Sequence, residues 1–143
     1  MVKPSLSLIL AAVVMMGAGP PEDASQRDLD AMQGAWTLVK SVREGEDLPK
    51  ARIQGNVHTV RKDRWIPGRD ADDLGTITLD AMAKPRSIDL KDREGKVMLG
   101  IYRFDDDETL TVCLAREGVA RPDDFVSAKD SKRYLIVLKR RTK

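Results

Sequence analysis

Hydrophobic and polar residues alternate along most of the chain after residue 34. In segment 75–79, Ile77 and Leu79 fall on one parity, and Thr76 and Thr78 fall on the other. Because successive side chains of a strand point to opposite faces, this period of two predicts strands with one buried face. Strand-like patterns also occur at 36–42, 57–62, 65–66, 88–90, 97–104, 109–115 and 134–138.

The arrangement of these segments predicts an all-β fold. Short strands that follow one another at a spacing of roughly 8–12 residues are typical of closed barrels and of sandwiches. A closed barrel leaves no sheet edge open to pairing with another chain. We therefore predict an antiparallel barrel of about eight strands. Segments 97–104 and 109–115 flank an acidic turn and form its clearest hairpin.

A short helix is predicted before the first strand. Ser25 is a suitable N-cap, Asp28 completes a capping box, and Leu29 and Met32 fall on one helical face. Gly34 ends this helix. In the strand that follows, Trp36, Leu38 and Val42 share one parity, and Lys40 interrupts the alternation.

The first 19 residues have the three-part pattern of a secretory signal. Lys3 supplies a positive start, segment 6–16 is apolar, and Gly17, Ala18 and Gly19 are small. The apolar run is shorter than the roughly 20 residues of a membrane-spanning helix. The pattern allows cleavage after Ala18 or after Gly19, and the alternative is a signal that stays attached as an N-terminal anchor.

This pattern divides the chain into a signal peptide at 1–19, a linker at 20–26 and one domain at 27–143. Without a cysteine directly after the apolar run, attachment of a bacterial lipid anchor is excluded. We expect a periplasmic or extracellular protein that has no membrane attachment once the signal is removed.

Charge and cysteine content narrow the classes of partner. Removing Lys3 leaves one more basic side chain than the 23 acidic ones, which argues against a general nucleic-acid or anionic-membrane binder. Cys113 is the single cysteine, so no intrachain disulfide can form. We interpret Cys113 as a small buried residue and expect a monomer; a disulfide-linked dimer is the alternative.

No residue pattern indicates a catalytic, cofactor or metal site. Asp70, Asp72 and Asp73 resemble the start of a calcium loop, but Ala81 stands where a bidentate Glu is required. Segment 105–108 is better interpreted as a soluble turn. His58 is the only histidine, and no Gly-x-Ser-x-Gly motif accompanies it. We predict that His58 lies on the surface or lines the barrel, and that the protein is not an enzyme.

Several segments, in order, resemble an uncharacterised domain family that is abundant in planctomycetes. Segment 32–39, which contains Gly34-Ala35-Trp36, carries this resemblance together with 85–90, 99–102, 107–115, 121–125 and 135–140. That family is regarded as lipocalin-like, often follows a signal peptide and has no established activity. The resemblance implies a lipocalin-like antiparallel barrel. It also implies that Gly34, Trp36 and Arg140 close one end, with a guanidinium over the indole; Arg141 could replace Arg140 if the strand register shifts.

Barrel architecture, export and the missing catalytic motifs together favour a binding module. We expect an exported, non-enzymatic domain that binds a small apolar molecule or a peptide and needs no cofactor. The alternative is a structural or protein-interaction module whose interior is filled by side chains. A ligand-sized cavity of a few hundred Å³ would distinguish the two.

Overall fold

The computed structural model describes residues 21–68 and 74–141, and within them it shows a closed antiparallel barrel of eight strands with a short helix at one end. The predicted all-β barrel is therefore confirmed. The predicted signal segment 1–19 and the acidic residues Asp70, Asp72 and Asp73 lie outside the described residues. The elements are α1 (Pro21–Met32), β1 (Gly34–Arg43), β2 (Glu46–Asp47), α2 (Lys50–Ile53), β3 (Val57–Arg61), β4 (Arg64–Pro67), β5 (Gly75–Asp80), β6 (Ser87–Lys91), β7 (Val97–Asp106), β8 (Thr109–Ala115) and β9 (Arg133–Arg140).

The barrel has up-and-down connectivity. From β3 to β9 each strand pairs with the next one along the chain, and β9 pairs back onto β1. The closing register places Trp36 opposite Arg140 and Arg43 opposite Tyr134. The two residues of β2 pair with the end of β1. Among the helices of the described ranges, none has the length and apolar character to cross a membrane.

Helix α1 begins earlier than the sequence predicted. It starts at Pro21, so most of the predicted linker at 20–26 is helical, and the predicted N-cap at Ser25 is wrong. The Ser25 hydroxyl instead accepts the backbone N–H of Ala81 at 3.1 Å. The side chain thus joins the helix to the end of β5, a tertiary contact that capping rules do not address.

A β-bulge in β1 changes which residues face the interior. The pairing of β1 with β9 shifts register between Leu38 and Lys40. One extra residue in a strand reverses the parity of those that follow. Ser41 is therefore only 3% exposed and lies opposite Ile136, a residue packed against the core. The prediction that Val42 shares the inner face with Trp36 and Leu38 is wrong for this reason.

The side chains are buried in two layers. Inside the barrel lies one cluster built on Trp36, Trp65, Tyr102, Leu110 and Leu138. Outside it, the connection 116–132 lies against β7 and β8, where Arg121 contacts Gly100 and Val126 contacts Cys113.

The outer layer is where the single thiol lies. Cys113 and Ile101 are fully buried, although both point away from the barrel interior. The Cys113 Sγ lies 3.9 Å from the Val126 carbonyl oxygen, and burial raises the pKa of the thiol to about 11. Arg121 fastens the connection, since its guanidinium donates to the carbonyl oxygens of Ile88 and Gly100. Cys113 is thus a small buried residue, as predicted.

Candidate functional site

Trp36 and Arg140 meet at the end of the barrel that α1 covers. Trp36 is fully buried, and the Arg140 guanidinium carbon lies 4.3 Å from the centroid of its ring. Gly34 has a φ of 110°, a backbone conformation that a side chain disfavours. Arg141 takes no part in this contact: its backbone N–H donates to the Ala35 carbonyl oxygen, and its side chain lines the outer wall.

Helix α1 is attached to this end by hydrogen bonds on several sides. The Arg140 guanidinium donates to the carbonyl oxygens of Ala31, in the last turn of the helix, and of Gln33, directly after it. The Trp36 indole N–H donates to the Met32 carbonyl oxygen at 2.8 Å. The Gln33 side chain exchanges two hydrogen bonds with the backbone of Lys62, both at 2.7 Å. Carbonyls that a helix end leaves unpaired are thereby satisfied.

A further attachment links the middle of α1 to the barrel wall. The Tyr102 hydroxyl donates to Asp28 at 2.6 Å, and Arg86 donates to the same carboxylate oxygen at 3.0 Å. Burial, followed by the hydrogen bond to Asp28, raises the pKa of Tyr102. We call this packed region, built on α1, Trp36 and Arg140, the closed end.

The opposite end of the barrel holds a cavity of about 470 Å³. We call it the open-end cavity. Its walls are mainly apolar; Ser41 and His58 are the polar residues of the inner wall, and Asn56, which is exposed, lies at its edge. The apolar lining includes Leu38, Leu74, Met98, Leu114 and Ile136. A pocket of this size with few polar groups is typical of sites for small molecules.

His58 lines this cavity, and one of its two ring nitrogens already takes part in a hydrogen bond. The Trp65 indole N–H donates to His58 Nδ1 at 3.0 Å, and the two rings meet edge to face at 86°. Burial lowers the pKa of His58 from 6.5 to about 4. The imidazole is therefore neutral near pH 7, and because Nδ1 accepts a hydrogen bond, Nε2 carries the proton. Of the two positions that the sequence allowed, the barrel lining is the observed one.

The same hydrogen bond shows that His58 is not protonated on the nitrogen that a triad histidine uses to donate. In a triad, Nδ1–H donates a hydrogen bond to a carboxylate, and the unprotonated Nε2 accepts the proton of the nucleophile. Here Nδ1 is the acceptor and Nε2 the donor, so the ring is in the opposite tautomer. His58 is thus a hydrogen-bond donor toward the cavity.

Ser41 is the second polar wall residue, and the sequence prediction missed it. The β1 bulge turns Ser41 inward, and among the described residues its hydroxyl has no hydrogen-bond partner. The interrupted parity at Lys40 was the one sequence signal of this change. Without the bulge, the parity of Trp36 and Leu38 would bring Lys40 to the cavity wall instead.

Arginine and tyrosine side chains form the rim of the cavity. Arg43 and Tyr134 both line its mouth, and the Arg43 guanidinium carbon lies 6.0 Å from the centroid of the Tyr134 ring. The Tyr134 hydroxyl accepts a hydrogen bond from Arg116 Nε at 2.7 Å. Both arginines are exposed. The positive charge therefore lies at the solvent boundary rather than inside.

A larger depression, of about 810 Å³, lies on the outside of the barrel wall. It runs over β1, β3 and β4 and is lined by Thr37, Val57, Thr59, Arg61 and Ile66, among others. This is the outer face of three paired strands. The open-end cavity is the stronger candidate site because it lies inside the barrel between facing apolar walls.

The acidic residues considered in the sequence do not form a metal centre in the described ranges. Within residues 21–68 and 74–141, no cluster of three or more His, Cys, Asp or Glu is arranged to hold an ion. At the end of β7, Asp105 accepts hydrogen bonds from Arg103 and Thr111, and Asp106 accepts one from the Glu108 backbone. That backbone hydrogen bond is the largest cause of the lowered pKa of Asp106. These carboxylates stabilise the turn.

In comparisons with protein-family models, with curated proteins and with solved structures, no match to this chain was found. The resemblance to a planctomycete lipocalin-like family therefore stays a prediction. The closed barrel, the closed end and the open-end cavity are the observations from which a function has to be argued.

Proposed function

We propose that this protein is an exported, non-enzymatic module that binds a small, largely apolar molecule in the open-end cavity. The observation that carries the proposal is the cavity itself: about 470 Å³ inside the barrel, with Leu38, Met98 and Ile136 among its walls. Small barrels either fill their interior with side chains or hold one small ligand. This barrel fills its closed end and leaves space at the other.

The size and chemistry of the cavity favour a compact molecule over a peptide. Buried apolar surface contributes about 25 cal/mol per Å², so an apolar ligand gains affinity from the aliphatic walls. A peptide would also have to bury its backbone polar groups, each of which needs a partner. The cavity wall offers few such partners. Export is proposed from the signal-like segment 1–19 alone.

The alternative, a structural or protein-interaction module, assigns no role to the space between these walls. In that case the cavity would hold only water. The closed end, where Trp36 and Met32 are fully buried, resembles a filled barrel. The open end does not, and the binding hypothesis rests on that difference.

Native mass spectrometry of protein purified from its own periplasm or medium tests the proposal. We expect a molecule of low mass that stays with the folded chain and is released on unfolding. In parallel, the neutral fluorescent probe N-phenylnaphthylamine should bind with one-to-one stoichiometry. Protein that carries no small molecule and does not bind the probe would contradict the proposal.

A cavity-filling variant locates the binding site. Met98→Trp adds a large ring to the cavity wall and should abolish probe binding while the far-ultraviolet circular dichroism stays unchanged. Met82→Trp makes the same substitution at a side chain that is 53% exposed and outside the cavity, and it should bind like wild type. Equal binding by the two variants would place the probe elsewhere.

A further inference from the structure

The His58 imidazole is held in a fixed orientation in the wall of the open-end cavity. His58 Nδ1 is occupied by the indole N–H of Trp65, a residue with no solvent exposure. A buried Trp65 cannot turn its N–H to water, so this bond holds the imidazole orientation. Nε2–H is then a donor in the cavity wall, and among the described residues it has no acceptor. An unpaired donor in a mainly apolar wall gains from any ligand that supplies one.

Ser41 adds a second hydrogen-bonding group to the same wall. Its hydroxyl can donate and accept, and it too has no partner within the described ranges. The bulge in β1 brings this uncharged side chain, and not that of Lys40, to the cavity. Both polar groups of the inner wall are therefore neutral.

The neutrality of the inner wall determines which ligand charge it accepts. Burying a carboxylate is costly unless a cation pairs with it. The described cations nearest the cavity, Arg43 and Arg116, are exposed at the rim. His58 cannot become the pairing cation near pH 7, because its pKa is lowered to about 4. A neutral acceptor meets no such cost.

From this geometry we infer that the open-end cavity selects uncharged carbonyl compounds, such as ketones, esters or amides with an apolar body, whose oxygen accepts the His58 Nε2–H hydrogen bond. This inference rests on the proposed function and names its ligand class. Ser41 provides the second polar contact in the cavity. The apolar body lies against Leu38, Met98 and Ile136.

Three probes of nearly equal shape test the inference on the full chain. Acetonaphthone carries a neutral carbonyl, isopropenylnaphthalene replaces the oxygen by a methylene group, and naphthoate carries a carboxylate. We expect acetonaphthone to bind roughly tenfold more tightly than the other two in fluorescence titrations, since one net hydrogen bond is about a factor of ten. Its binding should also shift the Trp65 indole N–H resonance.

Two variants at one position connect the preference to His58. His58→Phe removes the donor, so the preference for acetonaphthone should disappear while affinity for isopropenylnaphthalene changes less than about twofold. His58→Gln can still accept from Trp65 and donate to the cavity, and it should keep much of the preference. If His58→Phe does not fold, the comparison of probes on wild type still decides the question.

The outcomes separate the two proposals. Equal binding of acetonaphthone and isopropenylnaphthalene, or tighter binding of naphthoate, would overturn the carbonyl inference and leave the apolar cavity as the binding site. Failure of all three probes to bind, together with failure of N-phenylnaphthylamine, would overturn the proposed function itself. Retention of the ketone preference in His58→Phe would assign the donor to another group.

Discussion

The closed and open ends of the barrel differ in how their polar groups are satisfied. At the closed end, the Trp36 indole, the Arg140 guanidinium and the Gln33 amide all have partners in α1. At the open end, Nε2 of His58 and the hydroxyl of Ser41 have none among the described residues. Both residues line the open-end cavity, where water or a ligand can supply the missing partner. The comparison indicates that one end maintains the fold and the other is available to a ligand.

The largest expected effect is at the closed end. Trp36→Ala removes a fully buried indole together with its hydrogen bond to Met32 and its contact with Arg140. We expect a loss of about 3–5 kcal/mol in the free energy of unfolding, measured by urea denaturation. Met98→Ala, in the wall of the open-end cavity, should cost less than about 1.5 kcal/mol because that side chain already borders empty space. Similar costs at the two positions would remove the distinction between the ends.

Arg140→Met separates the polar part of the closed end from its packing. The substitution keeps an apolar stem over Trp36 but loses the charged hydrogen bonds to the carbonyls of Ala31 and Gln33. We expect a loss of about 2 kcal/mol in thermal or urea unfolding. Arg141→Met is the matched control at the adjacent position, and it should stay within about 0.5 kcal/mol of wild type. Equal losses would show that α1 is not held by Arg140.

Protonation of His58, at the open end, should make the unfolding free energy depend on pH. The folded-state pKa, about 4, lies below the unfolded value of 6.5, so the unfolded chain binds a proton first as the pH falls. Stability is therefore complete above about pH 6.5 and declines between that pH and about pH 4. The His58 contribution should reach about 2 kcal/mol between pH 7 and pH 5.

The variant His58→Gln isolates this contribution from that of the carboxylates. Gln does not titrate, so its unfolding free energy should fall less steeply with acidification than that of wild type. The difference between the two curves, measured by urea unfolding at several pH values, is the His58 effect. Parallel curves would mean that His58 is solvated as in the unfolded chain.

Ser41→Ala should have the smallest effect on stability. Removing a hydroxyl that lines the cavity and has no partner among the described residues should change the unfolding free energy by less than about 0.5 kcal/mol, in either direction. Its effect should instead appear as weaker acetonaphthone binding. A loss above 1 kcal/mol, in urea denaturation, would reveal a structural hydrogen bond and make the open end resemble the closed one.

The alternating pattern was sufficient to predict the barrel but not its cavity. A period of two at Ile77 and Leu79 depends only on neighbouring residues, and their strands formed as expected. The bulge in β1 depends on the pairing with β9, so the sequence could not show that Ser41 replaces Val42 on the inner face. The cavity depends on the combined volume of side chains from many strands. No single segment carries that information.

The closed end could be predicted only in part from the sequence. The predicted contact of Trp36 with a guanidinium came from a resemblance that stays a prediction, and the structure brings Trp36 and Arg140 together. The tertiary bonds of α1 were not predictable, because Ser25 and Asp28 contact residues more than fifty positions away. Local rules assigned these side chains to capping, and long-range partners determined their actual positions.

The connection 116–132 has a consequence for the chemistry of the single cysteine. With the Cys113 sulfur beneath Val126 and its proton tightly held, neither an oxidant nor a second thiol reaches it while the connection stays in place. A covalent pair of chains would therefore have to form during a local opening. The rate at which a maleimide reacts with Cys113 consequently measures how often that segment opens. The thiol can therefore serve as a probe of local unfolding on the outside of the barrel.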